Sequence, residues 1–238
     1  IHSGLYYKPG SLKAKNCIRG YHLMIDFCKT HSIPFELCGK VIVATEEREI
    51  PMLKNLFDRG RENGLQNLKM LSAQELKEYE PHTAGIAGIH VPQTGIVDFK
   101  KVAQKYAELI SSKGGEIKLN EKVLNIRNAT GHVMIVTDKQ SYNARLVINC
   151  TGLYSDKIAR LTSGKINVKI VPFRGEYYKL KKEKEYLVRN LIYPVPDPNF
   201  PFLGVHFTRM AKGGVEAGPN AVLAFMREGY KKTDIDLS

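Results

Sequence analysis

The segment from Asn190 to Tyr230, NLIYPVPDPNFPFLGVHFTRMAKGGVEAGPNAVLAFMREGY, constrains the fold most. Its apolar runs at residues 191–195 and 202–207 are β-forming and bounded by prolines, which end a ladder because proline has no N–H to donate. Gly213 and Gly214 mark a turn that returns the chain through residues 215–217. His206, Arg209 and Asn220 ride on these strands or at their ends, beside Gly218 and Pro219. A sheet that only covers a core needs no imidazole, guanidinium and amide there. The pattern predicts an antiparallel sheet with one face lining a pocket.

Before residue 169 helix and strand patterns alternate. Ala14, Cys17, Ile18, Tyr21, Met24, Ile25 and Cys28 recur at the 3.6-residue period behind Gly10 and Ser11, predicting a helix over 11–30 that ends before Pro34. Residues 41–44 read as a strand. Residues 48–63 read as a helix with Pro51 in its first turn and Gly64 at its end. Ser72 and Glu75 form a capping-box pattern opening a brief helix through Tyr79, stopped by Pro81. Asp98 caps a helix over 99–113, striped by Val102, Ala103, Tyr106, Leu109 and Ile110 and closed by Gly114 and Gly115. Strands are expected at 116–119, 122–127, 133–137 and 146–150, with the second and third joined as a hairpin around 128–132. Leu146, Val147 and Ile148 are continuous rather than alternating, as in a strand buried on both faces of a parallel sheet. From residue 169 strand follows strand until a helical pattern over 221–230. This change implies two domains and an α/β class of mixed α+β character.

With 43% apolar and 25% charged residues in 238, the chain can bury one large or two small cores, and disorder is excluded. The apolar runs fall far short of the ~20 residues of a membrane helix, and the start lacks the layout of a signal peptide. A cytoplasmic location follows, with peripheral membrane contact left open. The net charge of +12 is spread along the chain, and only residues 179–184, KLKKEK, cluster. No nucleic-acid signature accompanies it, so a nucleic-acid partner is not expected. Cys17, Cys28, Cys38 and Cys150 lack ligand spacing and read as reduced structural thiols. His22, His31, His82, His90 and His132 make no metal pattern, and no metal is expected. Lys8 and Arg227 read as surface charges.

A few residues carry chemistry on their own account. Thr151 and Gly152 follow the 146–150 run and precede Ser155 and Asp156, which can cap a helix over 157–162. A glycine beyond a parallel strand either admits a cofactor backbone or simply makes a tight turn, and position alone does not choose. His2, before Ser3 and Gly4, is either a base, since imidazole titrates in the useful range, or a surface group. Arg174 offers a fork that matches a carboxylate, or a solvated strand charge. Tyr178 shares its face by the two-residue period, and Tyr177 points away. Asn220 can bind a ligand or its own turn backbone.

Four segments in order, 1–10 (IHSGLYYKPG), 101–156 ending in VINCTGLYSD, 171–180 (VPFRGEYYKL) and 190–230, resemble the L-2-hydroxyglutarate oxidases and dehydrogenases. That family is a branch of the D-amino-acid-oxidase-like FAD oxidoreductases, and four ordered motifs make a specific match. The resemblance implies a partial Rossmann-like FAD-binding domain at 1–32 and 93–165, interleaved with an antiparallel-sheet substrate domain at 33–92 and 166–238. It implies FAD as cofactor, contacted by Ser3, Gly4, Val123, Thr151 and Gly152. It further implies a small dicarboxylate substrate oxidised by hydride loss, with His2 or His206 taking the hydroxyl proton. Arg174 would grip a carboxylate, helped by Tyr178 or Asn220, and oxygen or a quinone would accept the electrons. The family's G-x-G-x-x-G does not occur in this sequence. It is expected before Ile1, so the chain reads as an interior fragment, short also of the last substrate-domain strands, whose activity alone is in question. Two other readings remain: a related amino-acid or amine oxidase, and a basic binding module without catalysis.

Overall fold

The computed structural model describes residues 1–200 and 202–236. Of the expected range 166–238, Pro201, Leu237 and Ser238 lie outside the described residues. The elements in chain order are α1 (Leu12–Thr30), β1 (Phe35–Glu36), β2 (Lys40–Ala44), α2 (Ile50–Glu62), β3 (Lys69–Ser72), α3 (Ala73–Tyr79), β4 (Ala87–Val91), β5 (Ile96–Val97), α4 (Phe99–Ser112), β6 (Val123–Ala129), β7 (His132–Thr137), β8 (Ser141–Ala144), α5 (Ser155–Ser163), β9 (Phe173–Lys179), β10 (Leu191–Pro194), β11 (His206–Arg209) and β12 (Val215–Leu223). They form two compact units, one of residues 1–108 and 175–221, the other of 109–174 and 222–238. The mixed α/β class expected from the sequence is what the chain adopts.

In the first unit a seven-stranded sheet runs β3-β4-β2-β10-β11-β12-β9; β3-β4, β4-β2, β10-β11 and β11-β12 pair antiparallel, and β2 and β10 pair in parallel, Val41 opposite Ile192. The two-residue alternation sorts β2 onto two faces. Ile42 and Ala44 join Leu5, Leu53, Leu56, Ile89, Leu191 and Tyr193 in one core. Val41 and Val43 join Leu71 and Leu76 in another on the opposite side. Every residue of β2 is therefore buried. Each of these leucines, isoleucines and valines contributes about 1.5–3 kcal/mol when fully enclosed.

Two details seat the residues around His2. Gly60 of α2 lies so close to Leu5 that an added Cβ would come within 2.5 Å of its Cδ1, so only glycine lets helix and loop meet there. Asn63 Nδ2 then donates to Gly4 O at 3.1 Å and Tyr7 O at 2.9 Å, and Arg59 Nη1 donates to Tyr6 O at 2.9 Å. Across the sheet, buried Glu80 accepts from Arg189 N at 2.9 Å and Asn190 N at 2.8 Å, anchoring the start of β10.

The helix signals up to residue 113 stand, whereas α5 begins at Ser155 itself and has no side-chain cap. Ser11 Oγ caps α1 by accepting from Ala14 N, and Ser72 and Glu75 form both arms of their capping box. Of the α4 stripe only Val102 is buried, against Cys28, Ile33 and Val97. In the second unit, β6 and β7 form the expected hairpin, extended by β8.

Four expectations are corrected. Residues 116–119 form no strand. Nor do residues 146–150, and Leu146 and Ile148 are 74% and 75% exposed, because an apolar run becomes a buried strand only where neighbours hydrogen-bond it and none of the described strands does. The run at 202–207 is displaced, with the strand starting at His206, where pairing to β10 sets Phe207 opposite Ile192. The helical pattern at 221–230 loses to the sheet: β12 runs through Leu223, Ala224 N then donates to Pro172 O, Phe225 bridges to Ile235, and no helix follows among the described residues. Among the described residues no helix is long and apolar enough to cross a membrane.

Candidate active site

On the Leu5 side of the large sheet a cavity of about 110 Å³ is lined by His2, Ser3, Tyr6, Lys40 and Tyr193, with Gly4 and Leu203 beside them. Lys40 opens β2, and the face that carries Ile42 and Tyr193 carries its side chain too. The residue is 2% exposed. Its ammonium sits 4.2 Å from the Tyr6 ring centroid and 4.8 Å from that of Tyr193, and among the described residues no carboxylate pairs with it. The rings attract the cation only weakly compared with lost hydration. Burial therefore pulls the lysine down to about 7.

His206 stacks on Tyr193, ring centroids 4.2 Å apart and planes at 19°, with Nδ1 3.1 Å from Gly204 O. Desolvation lowers its pKa, and Lys40 adds to the effect. His2 is likewise lowered, first by desolvation and then by positive neighbours including Lys40 and His206. The residue is exposed at the surface and also lines the cavity. Both imidazoles are thus held neutral around pH 7 and can accept a proton. The Ser3 and Tyr6 hydroxyls are buried without a hydrogen-bond partner, and burial drives the Tyr6 phenol well above its ordinary value.

The sequence-derived candidates fall in both units. The first holds His2, Ser3 and Gly4 on this cavity and His206 stacked behind its Tyr193 wall. Tyr178, 82% exposed on β9, and Asn220, exposed on β12, lie in the same unit but do not line it. The second unit holds Val123, Thr151, Gly152 and Arg174. Val123 is half-buried at the start of β6. Thr151 Oγ1 donates to Asn149 Oδ1 at 2.7 Å, and Gly152 has φ of +52°. Arg174 Nη1 donates to Lys231 O at 3.1 Å. A flavin contact fits the main chain of Ser3 and Gly4, where Gly4, at φ +91°, holds the left-handed conformation that favours glycine. Among the described residues no group of histidine, cysteine and carboxylate side chains could hold a metal ion, and the four cysteines are free thiols.

Sequence reasoning missed three things. Lys40 was the largest, and the available signal was a charge set flush against a continuous apolar run. Arg59 and Asn63, which hold the loop at residues 4–7, sit on an ordinary helix. Arg227 is corrected from a surface charge: its side chain is 13% exposed and pairs with buried Asp156.

The family model for FAD dependent oxidoreductases, DAO, matches residues 1–237. The L-2-hydroxyglutarate dehydrogenase of Indibacter alkaliphilus is 62% identical over 239 residues, 100% of this chain and 60% of that protein. The mitochondrial L-2-hydroxyglutarate dehydrogenase of Homo sapiens is 44% identical over 246 residues, 98% of this chain and 53% of that protein. The chain thus spans little more than half the length of these curated relatives. Among solved structures, the FAD-bound L-alpha-glycerophosphate oxidase of Mycoplasma pneumoniae superposes with a TM-score of 0.86 at 25% identity, over 98% of this chain and 63% of that one. With a family match over nearly every residue and an α/β architecture shared with a flavin-bound relative, this chain belongs to the DAO family of FAD dependent oxidoreductases.

Proposed function

We propose that this chain supplies the substrate cavity of an FAD-dependent enzyme that oxidises L-2-hydroxyglutarate to 2-oxoglutarate. The names of its 62% and 44% identical relatives support the substrate. One observation carries the chemistry: a solvent-accessible imidazole, kept neutral, shares a small cavity with a buried, unpaired cation.

His2 is the base. It lines the cavity, whereas His206 is held behind it by Tyr193 and Gly204. As the alcohol becomes a ketone, the hydroxyl proton passes to the free nitrogen of His2. The bound flavin would take the α-hydrogen with its electron pair. Ser3, Gly4, Val123, Thr151 and Gly152 would hold that group, and Arg174, Tyr178 and Asn220 remain candidates for substrate contacts. The apolar walls from Leu5 and Leu203 exclude water from the reacting carbon. We also propose that 1–32 and 93–165 serve FAD and that 33–92 and 166–238 serve the substrate. A cytoplasmic enzyme passing electrons to oxygen or a quinone completes the reading.

The test is anaerobic addition of L-2-hydroxyglutarate to the full-length flavoprotein. Loss of the oxidised-flavin absorbance supports the proposal. Bleaching by an amino acid or amine, and not by this hydroxy acid, replaces it with the amine-oxidase reading.

A further inference from the structure

The walls of the 110 Å³ cavity are chemically one-sided. Lys40, Ser3 and Tyr6 bring an ammonium and two hydroxyls, the hydroxyls buried with no partner. No aspartate or glutamate is among the described lining residues. A buried charge costs several kcal/mol when left unpaired, and folds keep one mainly where a ligand supplies the counter-charge. Three donors without an acceptor fit an oxygen-rich anion. The volume, on the order of four water molecules, suits one carboxylate and its attached carbon rather than a whole five-carbon diacid.

We propose that Lys40 is the residue that binds the carboxylate next to the hydroxyl-bearing carbon, with the Tyr6 and Ser3 hydroxyls completing its shell. The inference rests on the 2-hydroxy-acid reading above and deepens it. Neighbouring carboxylate and hydroxyl groups on one substrate then meet neighbouring Lys40 and His2 on the protein. This orients the α-carbon, and it assigns recognition to a residue outside the arginine expected from the sequence. Amines lacking such a carboxylate would leave Lys40 unpaired and be rejected.

The probe is glutarate, which keeps both carboxylates but has no hydroxyl to oxidise. Its binding to the full-length holoenzyme is followed by calorimetry and by the flavin spectrum. Lys40→Met weakens glutarate binding and raises the KM for L-2-hydroxyglutarate by at least ~30-fold, with a smaller change in kcat, because a truncated ion pair costs affinity first. Lys40→Arg restores part of the loss. Glutarate affinity within twofold of wild type in Lys40→Met overturns the inference.

Should that variant fail to fold, proton uptake by the wild type decides. Pairing with a carboxylate raises the lysine pKa, so binding at about pH 8.5, where imidazoles of ordinary or lowered pKa are already neutral, takes up close to one proton. The other titratable groups facing Lys40 are Tyr6, Tyr193, Cys17, His2, His206 and the Ile1 amino group, which burial lowers from 8.0 so that it is already neutral at this pH. The tyrosines and the thiol stay protonated because their own pKa values are raised. No uptake overturns the inference. If the wild-type flavin is not bleached by the hydroxy acid but glutarate binding still depends on Lys40, the oxidation reading fails while the carboxylate site stands.

Discussion

Arg227 grips Asp156 through both carboxylate oxygens, Nη1 to Oδ1 at 2.7 Å and Nη2 to Oδ2 at 3.0 Å. The same Nη1 donates to Leu153 O at 2.5 Å, while Asp156 accepts from Lys157 N at 2.8 Å and Ile170 N at 3.2 Å. The turn carrying Thr151 and Gly152 is therefore fixed by a residue far along the chain. The Arg227 guanidinium is the main reason that the Asp156 pKa falls to about 2. A depressed carboxylate contributes stability that is present above its unfolded value and lost as pH falls through the folded one. Melting of the wild type should thus lose ground between pH 3.8 and about 2, a slope that Asp156→Asn removes. Arg227→Met should lower Tm at pH 7 by on the order of 5 °C. Circular-dichroism melts across this range check both.

His2 acts as a base only while neutral. Its pKa lies below the ordinary 6.5, pushed there by desolvation and positive neighbours. The acid limb of kcat/KM should accordingly lie below pH 6.5, and kcat/KM should decline again above about pH 7 as Lys40 loses its proton in the free enzyme. His2→Asn should lower kcat by ~10²–10⁴-fold, and His206→Asn by less. Steady-state kinetics of the full-length enzyme over pH 5–9 would expose the reverse order if His206 were the base.

Glu80 is fully buried, and its two oxygens receive the first backbone N–H groups leading into β10. Glu80→Gln keeps the size but removes the charge and turns one acceptor into a donor facing a donor. A loss of about 1–3 kcal/mol should result, read as a lower urea midpoint with an unchanged slope.

Lys40 sets a second pH dependence, of opposite chemistry. Unfolded, it stays charged up to 10.5, whereas in the fold burial makes it neutral above about 7. Between those values the unfolded chain binds the extra proton, so stability rises with pH across this window and the full penalty is present below it. Tm should increase by a few °C from about pH 7 to pH 10. Lys40→Met should flatten that rise and melt higher than wild type at pH 7, function having been traded for stability. Differential scanning calorimetry of both proteins tests this.

What could be read in the sequence is what is locally determined. Ser11, the Ser72 and Glu75 pair, Pro51 and Gly64 act within a turn of their helices, and those helices stand where expected. Strand fate depends on distant partners. The 146–150 run has the composition of a buried strand but no hydrogen-bonding neighbour among the described residues, while Val222 and Leu223 carry a helical pattern and are claimed by β12. At the site, Ser3 and Gly4 came only with the family resemblance, and His2 by its residues alone could equally be a surface group; His206 showed as a polar group riding on a strand. Lys40 was not legible, since one lysine before VIVA says nothing of burial until β4 and β10 close on both sides of β2. Tyr178 shows the converse: alternation put it on the Arg174 side of β9, yet the residue is 82% exposed.

The parallel pairing of Val41 with Ile192 has a consequence for biosynthesis. Emerging from the ribosome, the strand headed by Lys40 precedes its central neighbour by most of the chain, so the middle of the sheet closes only when the NLIYP stretch arrives. Until then a sticky VIVA segment stands bare on one edge, guarded by its single positive charge. Translation stalled ahead of Leu191 would leave a product for the quality-control proteases rather than a half-formed enzyme.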